Sequence, residues 1–586
     1  MKKKKDVLFI IALFVISLYR LKLLKESSWE LILSTGYDDI MQMKNAVTMT
    51  AGDWLGGSYF YTSMAKNVGY PLFLAIGQWL NISYGFLYGA VIIFASLIFV
   101  KAISPIFSSR KLLLLMYVII LFAPINHEAF YRIYRNALVP WIFLLVLSCM
   151  IALFIRHKEK VSKQIPWSIG AMASIMYFWI LREDSIWIFP FVFTASIMII
   201  IVNLPLVWSH RREFIHKTLL ALLPLSGIIA VSIITSAINY SHYGIWAMND
   251  RTQTYAPKAM SLIYRIDDGR TKDKDVWASR ESMRLAINES PTLRKIGDRV
   301  LASYNLWAGG EELELKGDIS QWSLRFAVEE EGYYHGNARK TNTFYKKVYE
   351  ELTEAFRSGK LHKKSGIYLS SQTGAFHISD FLQSTYMALA LSRKISNYCN
   401  TQVSDRYLIY QDFSETDLTF FENILNTDLP RTSNQLTNLD VNKKYNDYDL
   451  NLTTFNNISQ KNNEYILLNR KKAQKKENLI AIIYQMFSYI CLPLSFLGYY
   501  FLILDIVKQR NLQQSITLFL IMTGAALSAF LNIFLVCLFS RWITTDLNSI
   551  IYGFYASAAY LLYTITMLIG TIAVAKKLRE LVNNPY

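Results

Sequence analysis

Apolar positions along this chain fall in long unbroken blocks separated by polar stretches. Runs of about 20 apolar residues, the length that carries a helix across roughly 30 Å of hydrocarbon, occur near 7–24, 82–103, 109–125, 137–155, 166–182, 185–207, 217–240, 479–507, 513–540 and 548–575. They predict an all-α polytopic membrane protein with about ten crossings. Segment 70–80 is apolar but too short to span, and predicts a re-entrant or interfacial piece. After the seventh run the pattern turns polar from 241 to 478, enough for a separate soluble domain. There Phe344, Val348, Leu352 and Phe356 recur every four residues, predicting a helix capped by Thr343 and stopped at Gly359. A second helical pattern opens at Trp322. From 401 to 478 asparagines accumulate, among them Asn434, Asn438, Asn442, Asn446, Asn451, Asn456, Asn457, Asn462 and Asn463, and this stretch reads as a loosely ordered return to the membrane. The organisation is therefore an N-terminal module over 1–240 with a first loop at 25–81, a domain over 241–478, and a three-span module over 479–586.

Composition sharpens this picture. The chain has 586 residues, 53% hydrophobic and only 18% charged, which is too apolar for an ordinary soluble enzyme. A net charge of +17 could suggest nucleic acid as a partner, but the lysines and arginines cluster at span ends, where they orient the protein and meet lipid headgroups, so membrane lipids are the expected contact and nucleic acid is not. Lys101, Arg110, Lys111, Arg156, Lys158, Lys160, Lys163, Arg211, Arg212, Lys217, Lys508, Arg510, Lys576, Lys577 and Arg579 all fall in alternate loops. The positive-inside bias places those loops and both termini in the cytoplasm, and 25–81 and 241–478 outside a cell membrane. The basic stretch 470–476 would then lie outside, against that bias. The run of lysines before the first apolar block is followed by no small-residue cleavage pattern and reads as the start of an uncleaved helix. Cys149, Cys491 and Cys537 lie in spans and Cys399 has no nearby partner, so no disulfide is expected.

Candidate chemistry concentrates near the outer ends of the spans. Asp38 and Asp39 begin the first polar stretch after span one, where an Asp either caps a helix or acts on a substrate. Further on stand Gly52-Asp53-Trp54, Lys66 and Tyr70-Pro71-Leu72. Between spans three and four, Glu128, Arg132 and Arg135 have the spacing of one helical face, and between spans five and six Arg182, Glu183 and Asp184 interrupt two apolar helices. Charges so placed are either salt-bridged anchors or line a wet cavity. A phosphate-binding glycine loop, a dinucleotide fingerprint and zinc-type Cys/His spacing are all missing from the sequence. Asp267-Asp268 lacks the alternating oxygens of a calcium loop and reads as a turn, and His242, His335 and His377 read as solvated or structural.

In order and spacing, Asp38-Asp39, Gly52-Asp53-Trp54, Lys66, Tyr70-Pro71-Leu72 and the Arg182-Glu183 turn resemble the first loop and later turns of the GT-C class of polyprenyl-phosphate-dependent glycosyltransferases, similar to the dolichyl- and undecaprenyl-phosphate mannosyl- and aminoarabinosyl-transferase families. The resemblance covers about the first 240 residues. Gln42 stands where many members carry an aromatic residue. It implies a GT-C-like fold, a polyprenyl-phosphate-linked sugar as donor, and a glycan, lipid or protein acceptor outside the membrane, with inversion at the anomeric carbon. By the same resemblance Asp38 is the catalytic carboxylate and Lys66 a donor-phosphate ligand. Arg132, Arg135 and Arg182 are expected to join Lys66 at the phosphate, Glu128, Glu183 and Tyr70 to support them, and Asp39 to assist Asp38 or to hold a divalent cation such as Mg or Mn. Two other expectations compete: a polysaccharide polymerase or ligase acting on undecaprenyl-diphosphate-linked glycan, with its key residues in later outer loops, and a transporter, disfavoured because no internal repeat is evident.

Overall fold

The computed structural model describes residues 2–32, 38–269, 273–334, 336–403, 410, 412–431 and 452–583. Residues 34–37 ahead of the acidic pair, His335, Asn434, Asn438, Asn442, Asn446 and Asn451 lie outside the described residues. The described chain is helical, with isolated bridges and no strand among the described residues. Nine helices in it are long and apolar enough to cross a membrane: Asp6–Lys25, Tyr84–Ile103, Arg135–Ile155, Val161–Leu181, Ser185–Asn203, Arg211–Tyr243, Asn462–Val507, Leu512–Ser540 and Ser557–Val582.

The tenth expected span, 109–125, is a correction. Its helix covers only Arg110–Leu121, 12 residues or about 18 Å of rise. Pro124 explains the early stop, since it offers no amide donor and disfavours helical geometry at Ala123. The chain nevertheless travels from one end of the bundle to the other here. Arg110 meets Asp6 near the start of the first helix at 3.1 Å, the Tyr117 and Ser17 hydroxyls are 2.5 Å apart, and Phe122 packs on Tyr19. The remaining distance is covered by non-helical residues, of which Ala123, Ile125 and Asn126 are fully buried. Irregular backbone is tolerated at membrane depth only when protein encloses it in this way.

One end of the bundle collects the basic span termini. Arg156 donates to the Ala102 and Lys101 carbonyls at 2.9 Å, Lys217 to the His157 carbonyl at 2.5 Å, and Lys576 to Gln514 at 2.8 Å. At the opposite end lie the acidic pair and both charged turns. Residues 245–361 build their own apolar core there, and it is continuous with Met49, Leu55, Tyr59, Met64 and Val68 of the first loop. That loop is thus roofed by the polar domain.

Three details of that domain differ from expectation. The helix with the Phe344, Val348, Leu352 stripe runs Ala338–Arg357 and is capped by the Asn337 side chain, with Thr343 inside it; its capping role falls to the residue that precedes the first turn. Residues 378–403 leave the domain core and join the membrane bundle: helix Ile378–Ser396 packs along Leu512–Ser540, Asp380 pairs with Arg541 at 2.8 Å, and the Tyr398 hydroxyl meets Thr564 at 2.7 Å. Finally, the expected loose return is helical from Leu452, continuous to Val507. Its Lys, Glu, Gln and Arg residues favour helix, and Arg470, Gln474 and Glu477, at helical spacing, are tied to Asp428, Val403 and Arg20.

Candidate active site

Helix Asp39–Thr50 begins immediately after Asp38, which occupies the capping position yet makes no capping hydrogen bond. Its carboxylate is instead 2.7 Å from the Lys66 Nζ, with Asp38 one-third exposed and Lys66 only 5% exposed. Burial alone would raise the Asp38 pKa, but Lys66, aided by Arg135 and Arg251, holds it well below the ordinary carboxylate value. Burial in turn pulls the Lys66 pKa down against the attraction of Asp38.

Lys66 sits on a short irregular segment that three elements clamp. The Asp250 amide donates to the Met64 carbonyl at 2.8 Å, the Asn67 amide to Glu183 at 2.7 Å, and the Asn67 side chain to the Trp179 carbonyl at 3.1 Å. Asn249 completes the clamp by donating to the Asn67 side chain at 2.8 Å. The helix that follows, Gly69–Trp79, starts hard against the end of helix Val161–Leu181, where a Cβ on Gly69 would lie 2.7 Å from the Ile180 carbonyl oxygen. The short interfacial segment expected at 70–80 is this 11-residue helix. Tyr70 within it is fully buried, its hydroxyl 3.3 Å from that of Tyr84, in a stack of aromatic rings beneath the acidic pair.

Around this pair every cation has a carboxylate. Arg132 grips Asp39 with two bonds of 3.1 and 2.6 Å, also reaches Glu128 at 3.0 Å, and lies between the Tyr134 and Phe554 rings. Arg135 holds Glu183 at 2.8 and 2.6 Å, and both are buried. Glu183 would be raised by burial but is pulled down to about 2 by Arg135 and Lys66. Arg182 forks onto Asp184 at 2.7 and 2.5 Å, with a third bond of 3.0 Å to Asn136. Arg251, from the polar domain, pairs with Asp318 and stacks over Trp322.

One expectation about these turns is corrected. Glu128, Arg132 and Arg135 do not share a helical face, because the helix ends at Tyr131 and Arg132 is extended, sending Arg135 away to Glu183. Arg182 pairs with Asp184, not Glu183, since the backbone at Arg182 is extended and adjacent side chains then point apart. The two oxygens of Asp39 are both engaged by Arg132, and no group of three or more potential metal-ligating His, Cys, Asp or Glu residues occurs among the described residues.

The partners divide the cations physically. Asp39 and Glu183 are 1% and 8% exposed, so the pairs they form are sealed. Asp38 and Asp184 are reachable from solvent, the latter 56% exposed. Lys66 and Arg182 are therefore the cations whose carboxylates an incoming anion could displace. Arg251, Asp318, Tyr134 and Tyr555 were not legible as site residues. Arg251 follows Asn249-Asp250 in a polar stretch without periodicity, and the Asp250–Met64 and Asn249–Asn67 bonds bring it to the first loop. Tyr555 lies under Arg182 at 5.6 Å, reached from the short helix Ile550–Tyr555 about 370 residues away. No family model, curated protein or solved structure matches this chain.

Proposed function

We propose that this protein is a membrane glycosyltransferase that moves a sugar from a polyprenyl-phosphate carrier to an acceptor outside the membrane, with Asp38 as the residue that receives the acceptor's proton. The observation that carries this reading is the Asp38–Lys66 pair: an accessible carboxylate bonded at 2.7 Å to a buried lysine, at the end of the bundle where membrane helices meet a polar roof. The first-loop resemblance to GT-C enzymes supports it, as does the positive-inside bias, which puts the opposite, basic end in the cytoplasm.

Paired with Lys66, Asp38 is a poor base, because its proton affinity is low. Donor binding changes this. The donor's hydrocarbon tail stays among the spans while its phosphate reaches Lys66 and Arg182, displacing Asp38 and Asp184. Relieved of its closest cation, Asp38 gains proton affinity when the sugar is in place. The acceptor hydroxyl then attacks the anomeric carbon, the bond from that carbon to the phosphate oxygen breaks with its electron pair, and the hydroxyl proton passes to Asp38. Lys66 and Arg182 compensate the charge left on the phosphate. Arg132 and Arg135 hold Asp39 and Glu183 and keep the two turns in register. A divalent cation is not required by this scheme; one that did bind would have to compete with Arg132 for Asp39.

The test is mass spectrometry of envelope glycans from cells with the gene, without it, and complemented with Asp38→Asn. Loss of one glycan modification in both the deletion and the variant is expected. Identical glycans with and without the gene would end the reading. Full complementation by Asp38→Asn, with loss on altering the 241–361 domain, would favour the polymerase or ligase.

A further inference from the structure

Helix Arg211–Tyr243 leaves the membrane beside a polar cavity of about 580 Å³, set between its last turn, the start of helix Tyr255–Tyr264 and the start of helix Ala338–Arg357. We propose that this cavity binds the phosphate headgroup of an anionic phospholipid from the adjoining leaflet.

Charge is the first reason. Lys258 and Arg339 both line the cavity, and neither has a carboxylate partner among the described residues. This is the reverse of the Asp38 cluster, where each cation is compensated. Both cations lie over aromatic rings, Lys258 at 4.7 Å from Tyr255 and Arg339 at 6.0 Å from Tyr240, contacts that orient a cation without neutralising it. Arg339 is seated by Gly244, which ends the membrane helix in a left-handed conformation (φ +75°); a Cβ there would come within 2.7 Å of the Arg339 Nε.

Depth is the second. Below the cavity, Leu222, Ile229 and Ile233 are exposed on the helix face that leads up to Tyr240. From Ile229 to Tyr240 the helix rises about 16 Å, close to half of a hydrocarbon core of about 30 Å. An acyl chain lying along this face therefore brings its headgroup to the level of the two cations. Trp246 and Tyr240, both exposed and in edge contact at 6.3 Å, flank the entrance as rings do at the headgroup layer. The occupant must be anionic, because the polar side chains of the cavity offer two full positive charges and no negative one.

The experiment is a lipid titration of the full-length protein by native mass spectrometry, comparing phosphatidylglycerol with phosphatidylcholine, for wild type, Lys258→Gln, Arg339→Gln and the double variant. Two cations at an anionic headgroup are worth about tenfold or more in affinity. Wild type is expected to prefer phosphatidylglycerol by that factor, each single variant to lose part of the preference, and the double variant to bind both lipids alike. All of these residues are outside the Asp38 cluster, so glycan transfer in detergent should be unchanged. An unchanged preference in the folded single variants overturns the proposal. So does an equal thermal stabilisation of wild type by inorganic phosphate alone, which would identify a site for soluble anions.

Discussion

The Lys66 ammonium lies 2.7 Å from the Asp38 carboxylate, and Asp38, although it stands at the start of a helix, caps nothing. Its two candidate roles are thereby separated. Replacing Asp38 by Asn should leave the helix start intact but deprive Lys66 of its nearest anion, so a modest loss of stability accompanies the loss of activity. In a double-mutant cycle with Lys66→Met, the pair should show a coupling of about 1 kcal/mol, kept small by the solvent around Asp38. Transfer by Asp38→Asn should fall about 10²- to 10⁴-fold. Additive effects on stability would mean that the ion pair does not form.

Arg182 and Asp184 give predictions of opposite sign. Arg182→Lys keeps the charge but not the planar fork that meets Asp184 with two bonds and Asn136 with a third. Its KM for donor should rise about tenfold or more. Asp184→Asn frees the fork and should lower that KM. Parallel changes in both variants would show the pair to be structural.

Glu183 supplies a pH test. Its folded pKa of about 2 lies below the ordinary 4.5, so its pairing with Arg135 stabilises the protein fully above pH 4.5 and loses that effect as pH falls toward 2. Glu183→Gln leaves Arg135 buried without its partner and should cost about 3–5 kcal/mol at neutral pH. The difference in thermal midpoint between wild type and variant should be flat from pH 7 to 5 and shrink below 4.5. A difference that grows on acidification would contradict the assignment.

Gly69 is a test that touches no charge. A methyl group there would press on the Ile180 carbonyl, and the segment carrying Lys66 would have to move. Gly69→Ala should cost about 1–3 kcal/mol as an overpacked contact and reduce transfer as strongly as Lys66→Met. Wild-type activity in Gly69→Ala would show that Lys66 does not need this placement.

Much of the membrane architecture was readable because a span announces itself by length and apolarity, independent of its neighbours. Arg132, Arg135 and Arg182 were picked out because charge beside an apolar run is costly, Asp38 by its place at a helix start and the first-loop resemblance, and Lys66 by that resemblance alone; the structure does bring the five together. Their pairing was not readable. Which of Glu183 and Asp184 meets Arg182 depends on the extended backbone at one residue, and Arg251 enters through a contact between distant loops. The helix through 452–478 was missed for a different reason: its buried face carries Arg470, Gln474 and Glu477 with Ala473 as a small apolar residue among them, so hydrophobic periodicity carried little trace of it.

The 12-residue helix at Arg110–Leu121 also bears on biogenesis. Insertion machinery tests each emerging segment against lipid, and a helix of about 18 Å with exposed backbone beyond it is a poor candidate on its own. This segment can be retained only once Asp6–Lys25 and Tyr84–Ile103, the earlier helices it packs against, are present to enclose it. A lesion in the first helix should therefore be felt as inverted orientation of everything synthesised after residue 126, with a protease-accessible loop appearing on the wrong face of the membrane.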